Sequence, residues 1–175
     1  MASKIKVDQL ETADGTGTIA LQNQLSGMTT TSLPAGAILQ TVNFASTNNQ
    51  VISTSTSFAA TGEEITITPA STSSKILVIA VWGAQIVKNG SHQAEGEYKI
   101  VGTASGDLMK HRYQSYDYGG SGSALATTVS MSFLDSPSST SAQTYAIHQR
   151  LTAGDNIKVA NANMKTHMVA IEFKG

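Results

Sequence analysis

Hydrophobic and polar residues alternate along most of the chain, which is the pattern of half-buried β-strands. The rest of the sequence is organised around the stretch from Ser57 to Val87. Within it, Ile65-Thr66-Ile67-Thr68 alternates strictly, a Pro-Ala-Ser-Thr-Ser-Ser turn follows, and the run Ile76-Leu77-Val78-Ile79-Ala80-Val81-Trp82 is apolar throughout. This arrangement predicts a β-hairpin. Its second strand is unbroken and β-branched, so it is predicted to be central and covered on both faces.

Further strands are predicted on both sides of this stretch. Alternating or apolar segments recur at Ile38–Phe44, Glu97–Val101, Leu108–Tyr113, Val129–Phe133, Tyr145–Gln149 and Met168–Phe173, with turn residues between them. Gly83 predicts a bend or bulge, and the last strand is predicted to be central because its apolar residues are dense. About eight strands and no helix predict an all-β fold, an antiparallel β-sandwich of jelly-roll type.

Residues 1–33 form a segment that differs from the remainder. Its apolar side chains are few and widely spaced, and Gly27 to Pro34 reads as an extended linker; these apolar residues are Ile5, Val7, Leu10, Ile19, Leu21 and Leu25. So few side chains cannot offset an ordering entropy of roughly 1–2 kcal/mol per residue. The segment is therefore predicted to be an extended anchor for oligomerisation or docking (residues 1–33), and residues 34–175 the β-sandwich head.

The unpaired anchor strands also predict self-association, because closed symmetric oligomers supply strand partners economically. A homotrimer is favoured, since a narrow shaft of three chains can bury one apolar side chain per chain in each layer.

Composition narrows the range of partners. Charged residues make up 13% of the chain and the net charge is -1, which argues against a nucleic-acid groove. Cysteine is absent, so disulfides and thiolate metal sites are excluded. The N-terminus lacks the apolar core of a signal peptide, and no segment approaches the roughly 18 apolar residues of a membrane span. We expect synthesis in a cytoplasm and no membrane insertion.

No residue pattern predicts catalysis, a metal or a cofactor. His92, His111, His148 and His167 lack the spacing of metal ligands. The many serines lie in no G-x-S-x-G elbow. Glu95 and Glu97 share one face of a strand and could be considered as a glycosidase pair, but neighbouring glutamates at an edge are usually solvated.

One stretch has the composition of a binding loop. Tyr113, Tyr116, Asp117 and Tyr118 precede Gly-Gly-Ser-Gly-Ser, and a long mobile loop is predicted from Tyr116 to Ser123. Tyrosine supplies rigid contact area and Ser and Gly permit adaptation, as in antibody paratopes. The four residues are a candidate contact for host glycan. The alternative is that Tyr113 packs in the core and the remainder is only a loop.

Several segments together resemble a family of virion proteins. They are SKIKVDQLETADGTGTIAL, TTSLPAGAILQTV, ITITPASTSSKILVIA and FLDSPSSTSAQTYAI. In order and combination they resemble the short, fibre-like appendage proteins of tailed bacteriophages of marine type. The resemblance implies an N-terminal segment that docks on the virion and a distal β-sandwich head, commonly trimeric. The chain lacks the repeated shaft of long tail fibres, which favours a short appendage, a head fibre or a decoration.

Three functional interpretations follow. The first is a phage appendage that docks on other virion proteins, of the capsid or tail, through residues 1–33 and projects a head that meets host glycan. The second is a capsid or tail decoration (cement) protein with a purely stabilising role, and the third, remote, is a glycan-cleaving enzyme. The expected location is the virion, after assembly in the host cytoplasm.

Overall fold

The computed structural model describes residues 33–48, 50–89, 92–117, 123–160 and 164–175. Four side chains within these ranges, those of His92, Tyr116, Asp117 and Ser123, are also left undescribed. The described ranges contain strands and turns but no helix, and hence no helix long and apolar enough to cross a membrane. The strands are β1 (Ile38–Ala45), β2 (Val51–Ser53), β3 (Ala59–Ile67), β4 (Lys75–Lys88), β5 (His92–Gly102), β6 (Gly106–Asp117), β7 (Ser123–Asp135), β8 (Gln143–Ala153), β9 (Asn156–Val159) and β10 (His167–Phe173).

The strands form two antiparallel sheets, which we call sheet A and sheet B. Sheet B has the order β3-β8-β5-β6. In sheet A, β4 pairs with β7 along one edge and with β10 and then β9 along the other. Strand β1 pairs with β10, and β2 pairs with β9. Strands β1 and β2 therefore form the edge of sheet A opposite β7. With the short β2 and β9 set aside, this is the strand order of a jelly roll. The predicted all-β sandwich is confirmed.

Alternation along each strand buries one side-chain set between the sheets. The buried side chains of β4 are each 0% exposed; they are Ile76, Val78, Ala80, Trp82, Ala84 and Ile86. Sheet B contributes Tyr98 and Tyr145, and the Tyr98 ring meets the Trp82 ring edge-on at a centroid distance of 5.6 Å. Strand β10 is interior to sheet A, as its apolar density predicts, because it lies between β1 and β4.

The predicted hairpin between Ile65 and Ile76 is wrong. Strand β3 pairs with β8 in sheet B, and β4 lies in sheet A. The turn between them is a crossover, held by the buried carboxylate of Glu172, which accepts hydrogen bonds from Ala70 N at 2.7 Å and Ser74 Oγ at 2.6 Å. A short polar connection looks the same in sequence whether its strands pair or change sheets.

Asp135 joins the two sheets in a similar way at the end of β7. Its carboxylate accepts a hydrogen bond from the Tyr145 hydroxyl at 2.8 Å and another from Ser105 Oγ at 2.7 Å. The carboxylates of Asp135 and Glu172 therefore hold connections of the jelly roll, a structural role that a search for catalytic residues would miss.

The predicted bend or bulge at Gly83 is wrong; another segment of the chain passes close to β4 at this residue. The register between β4 and β7 runs uninterrupted through the pair Gly83 and Thr128. Instead, Met164, in the connection from β9 to β10, lies against Gly83, and a Cβ added there would be 2.5 Å from the Met164 backbone oxygen. Glycine is needed because backbone, not a flexible side chain, occupies that space.

Gly83→Ala is accordingly expected to lower the free energy of unfolding by about 1–3 kcal/mol, the usual cost of overpacking. Urea unfolding at fixed chain concentration, followed by Trp82 fluorescence, measures the change. Ser57→Ala, an exposed position just before β3 and outside sheet A, is the control and should change stability little. An unchanged unfolding midpoint in Gly83→Ala would contradict the close contact between Gly83 and the Met164 backbone.

Candidate assembly surface

The side of sheet A that faces away from the core is apolar at its centre. Strand β4 alternates, so Leu77, Ile79 and Val81 point outward while their neighbours are buried. The register places Ile171 and Leu134 on either side of Leu77, and Val169 beside Ile79. We call this surface the outer patch; it consists of Leu77, Ile79, Val81, Leu134, Val169, Ile171 and Phe173.

The outer patch is open to solvent in the single chain. Leu134 is 57% exposed and Ile79 is 37% exposed, whereas the rest are half-buried. At one end of the patch, Leu77, Leu134 and Phe173 line a groove of about 610 Å³. The groove is also lined by Ala35, Gly36, Ser73, Lys75, Lys174 and Gly175. Contiguous apolar surface of this kind is typical of a site that contacts another macromolecule.

Sheet A also carries few charges. Strands β1 and β2 have none, and those of β4 and β7 lie at strand ends, at Lys75, Lys88 and Asp135. The short β9 adds Lys158, and β10 adds the buried Glu172. Depletion of charge at the centre of a surface is the compositional mark of a protein interface. The outer patch combines this depletion with exposed branched aliphatic side chains, so it fits a protein partner better than a polar ligand.

The outward side of sheet B has the opposite character. Glu95 accepts hydrogen bonds from Arg112 at 2.5 Å, from Thr152 at 2.9 Å and from Gln93. The Glu97 carboxylate accepts a hydrogen bond from Arg150 Nε at 2.7 Å and forms an ion pair with Arg150 Nη2 at 2.6 Å.

The hydrogen bond from Arg112 is the main reason that the pKa of Glu95 lies below its ordinary value, although burial acts in the other direction. The carboxylates of Glu95 and Glu97 are thus ion-paired with arginines of their own sheet, and such charge-assisted hydrogen bonds give this side of the sandwich a polar character.

The Phe58 ring contacts two of the cations on this side of sheet B. The Lys99 ammonium lies 4.5 Å from the centre of the Phe58 ring and the Arg150 guanidinium 4.7 Å from it, distances typical of cation–π contacts. The two sides of the sandwich are therefore chemically distinct, with an apolar outer patch on sheet A and a paired ionic network on sheet B.

The structure locates only part of the predicted glycan contact. Tyr113 is half-buried and packs against the core cluster, and burial raises the pKa of its hydroxyl. Strand β6 runs through Tyr116 and Asp117, so the loop predicted from Tyr116 is wrong at its start. The side chains of Tyr116 and Asp117, and all of Tyr118, lie outside the described residues.

The predicted docking residues cannot be compared with the structure. Ile5, Val7, Leu10, Ile19, Leu21 and Leu25 all precede residue 33 and lie outside the described part of the chain. Within the described ranges, no three histidine or carboxylate side chains come together as a metal site.

Sequence reasoning did not identify the outer patch as a site. The sequence predicts that the run Ile76–Trp82 is covered on both faces, yet in the described structure the face with Leu77, Ile79 and Val81 is only partly covered. The signal was present, because a strand that is apolar at both odd and even positions requires cover on each side. It did not indicate that the described residues cover only one of the two faces.

Comparison with known proteins gives limited further information. No protein-family model matches the chain, and no curated protein matches it. Similar solved structures include the VP2 subviral particle of infectious bursal disease virus, at 9% identity and a TM-score of 0.31, covering 90% of this chain and 45% of that chain. The Gx strain of the same virus is similar at 8% identity and a TM-score of 0.32, covering 90% and 42%. The T13 particle is similar at 10% identity and a TM-score of 0.30, covering 78% and 36%.

The chain thus spans less than half the length of the viral proteins that it matches in structure. At these scores and identities the structural similarity to viral capsid proteins is weak.

Proposed function

We propose that this protein is a structural component of a virion, assembled through the outer patch of sheet A. The observation that carries the proposal is the patch itself, a charge-poor apolar surface with Ile79 at 37% and Leu134 at 57% exposure. A chain that remained alone would present this surface to water. An assembly protein removes it from water on association, and apolar burial contributes roughly 25 cal/mol per Å².

In its specific form, the proposal is a short trimeric appendage of a tailed bacteriophage, docked by its N-terminal segment. The resemblance of SKIKVDQLETADGTGTIAL and the other quoted segments to phage appendage proteins supports this form, as does the β-sandwich head. The residues proposed for docking are Ile5, Val7, Leu10, Ile19, Leu21 and Leu25. Contact with host glycan is proposed for Tyr116, Asp117 and Tyr118, whereas packing of Tyr113 against the core favours a structural role for that residue.

A capsid or tail decoration protein is the second candidate. The outer patch supports it too, because the same surface would fit a neighbouring virion protein as well as a sister chain. We propose that the protein is not a glycan-cleaving enzyme. Support comes from Glu95 and Glu97, which are ion-paired with Arg112 and Arg150, and from the lowered pKa of Glu95, since a glycosidase general acid requires a raised one.

Electron microscopy of virions from the virus that encodes the chain tests the proposal. Particles with the gene intact should show surface density that disappears when the gene is disrupted. If particles without the protein remain intact but adsorb poorly, the appendage is supported. Fragile particles would support the decoration, and absence of the protein from purified virions would contradict both.

A further inference from the structure

Strand β7 is a long edge strand with one open side. Its thirteen residues, Ser123–Asp135, pair with β4 along their whole length. Among the described residues, no strand pairs with the other side of β7. The opposite edge of sheet A, formed by β1 and β2, is likewise paired on one side only, with β10 and β9. Both edges present backbone N–H and C=O groups that another strand can use.

The edges of sheet A also carry little of the usual protection against pairing. Isolated sheet edges generally carry charged residues, proline or bulges that block association. In sheet B, β6 carries Lys110 and Arg112, and β3 carries Glu64 and a register shift. By contrast, β7 has no charged residue before Asp135 and pairs with β4 without a register shift. Strands β1 and β2 carry no charge, and the register shift of β1 is confined to its start, between Ile38 and Gln40. These weakly protected edges belong to the same sheet as the outer patch.

Strand directions limit how two copies can use these edges. Strands β7 and β4, β4 and β10, and β10 and β1 are each antiparallel, so β7 and β1 run in opposite directions. Rotation about an axis parallel to the strands therefore brings β7 of one copy beside β1 of the next as an antiparallel pair. The same rotation turns the outer patches towards the axis, where they face one another.

The alternative, β7 against β7 across a two-fold axis, pairs the edges but leaves both outer patches exposed on one broad sheet. Of these two arrangements, only the cyclic one removes the strand edges and the outer patches together from water. We propose that β7 of one copy pairs with β1 of a second copy of this chain, so that sheet A continues from copy to copy around a closed ring. This inference rests on the proposed self-association and specifies its contact.

Disulfide cross-linking can test the contact cleanly, because the natural chain contains no cysteine. Asn43→Cys places a thiol on an exposed, outward position of β1. It is combined in turn with Thr128→Cys, Ser130→Cys, Ser132→Cys and Leu134→Cys, all exposed positions of β7. These steps of two residues scan the register, and a disulfide requires Cα atoms roughly 4.4–6.8 Å apart.

After mild oxidation of the intact protein, at least one double variant should give covalent multimers on a non-reducing gel, at least tenfold above its two single variants. The sheet B pair Thr66→Cys with Gln114→Cys, on β3 and β6, is the matched control and should remain uncross-linked. Cross-linking by a single β7 cysteine at the level of the double variant would overturn the inference in favour of a β7–β7 contact. Absence of cross-links in all four double variants would also overturn it.

The solution mass separates this inference from the function on which it rests. If the wild-type protein is oligomeric and no double variant cross-links, the β7–β1 contact is wrong while self-association stands. If the wild-type protein is a single chain, the β7–β1 contact and the self-association both fail, and of the proposed functions only the decoration protein remains.

Discussion

Ile79→Lys is expected to convert the assembled protein into single, folded chains. Ile79 lies near the centre of the outer patch, between Val169 on β10 and Ser132 on β7, and is 37% exposed in the single chain. A lysine there remains hydrated in the monomer but would lose its water in the assembly, without a carboxylate in the outer patch to pair with it. We expect association to weaken by about 100-fold or more, which corresponds to about 2.7 kcal/mol.

Sedimentation velocity over a range of chain concentrations measures this effect, and circular dichroism verifies that the β-fold is retained. Thr66→Lys is the matched control, because Thr66 is an exposed threonine on the outward side of sheet B. It adds the same charge and should leave association unchanged. If both variants associate like the natural protein, the outer patch is not the assembly surface; if both dissociate, the effect is one of net charge.

Trp82→Ala should have the largest effect on the stability of the head. The side chain is 0% exposed, and its ring contacts the Tyr98 ring from the opposite sheet. Removing a buried indole deletes contacts across the sandwich and leaves a cavity, at a cost of about 3–5 kcal/mol. Thermal and urea unfolding followed by far-ultraviolet circular dichroism measure the loss at fixed chain concentration.

Trp82→Phe separates ring packing from hydrogen bonding. Among the described residues, the indole Nε1 has no hydrogen-bond partner. Phenylalanine therefore removes volume without leaving a polar partner unsatisfied, and it should cost clearly less than alanine. An equal loss in both variants would contradict a role based on packing, and a loss below about 1 kcal/mol in Trp82→Ala would contradict the central position of Trp82 in the core.

The sequence predicted the class of the fold because alternation is a local signal. Ile65 and Ile67 are buried while Thr66 is exposed, as their alternation requires. It did not predict which strands pair, since pairing depends on contacts between distant residues. The turn after β3 has the composition of a hairpin turn, and only Glu172, about a hundred residues later in the chain, shows that it crosses between sheets.

The proposed assembly surface was predictable in part. The unbroken run of β4 predicts cover on both faces, but sequence alone could not show that the described residues cover only one of them fully. Leu134 and Ile171 are ordinary strand residues until the register places both beside Leu77. Glu95 and Glu97 could be recognised as neighbours on one face, whereas their neutralisation by Arg112 and Arg150 depends on strands β6 and β8.

The solution mass of the natural protein tests the assembly claim most directly. One chain has a mass of 18.3 kDa. Static light scattering at micromolar chain concentration should give three times that mass, because three outer patches are proposed to meet around one axis. A mass equal to one chain under the same conditions would contradict the account.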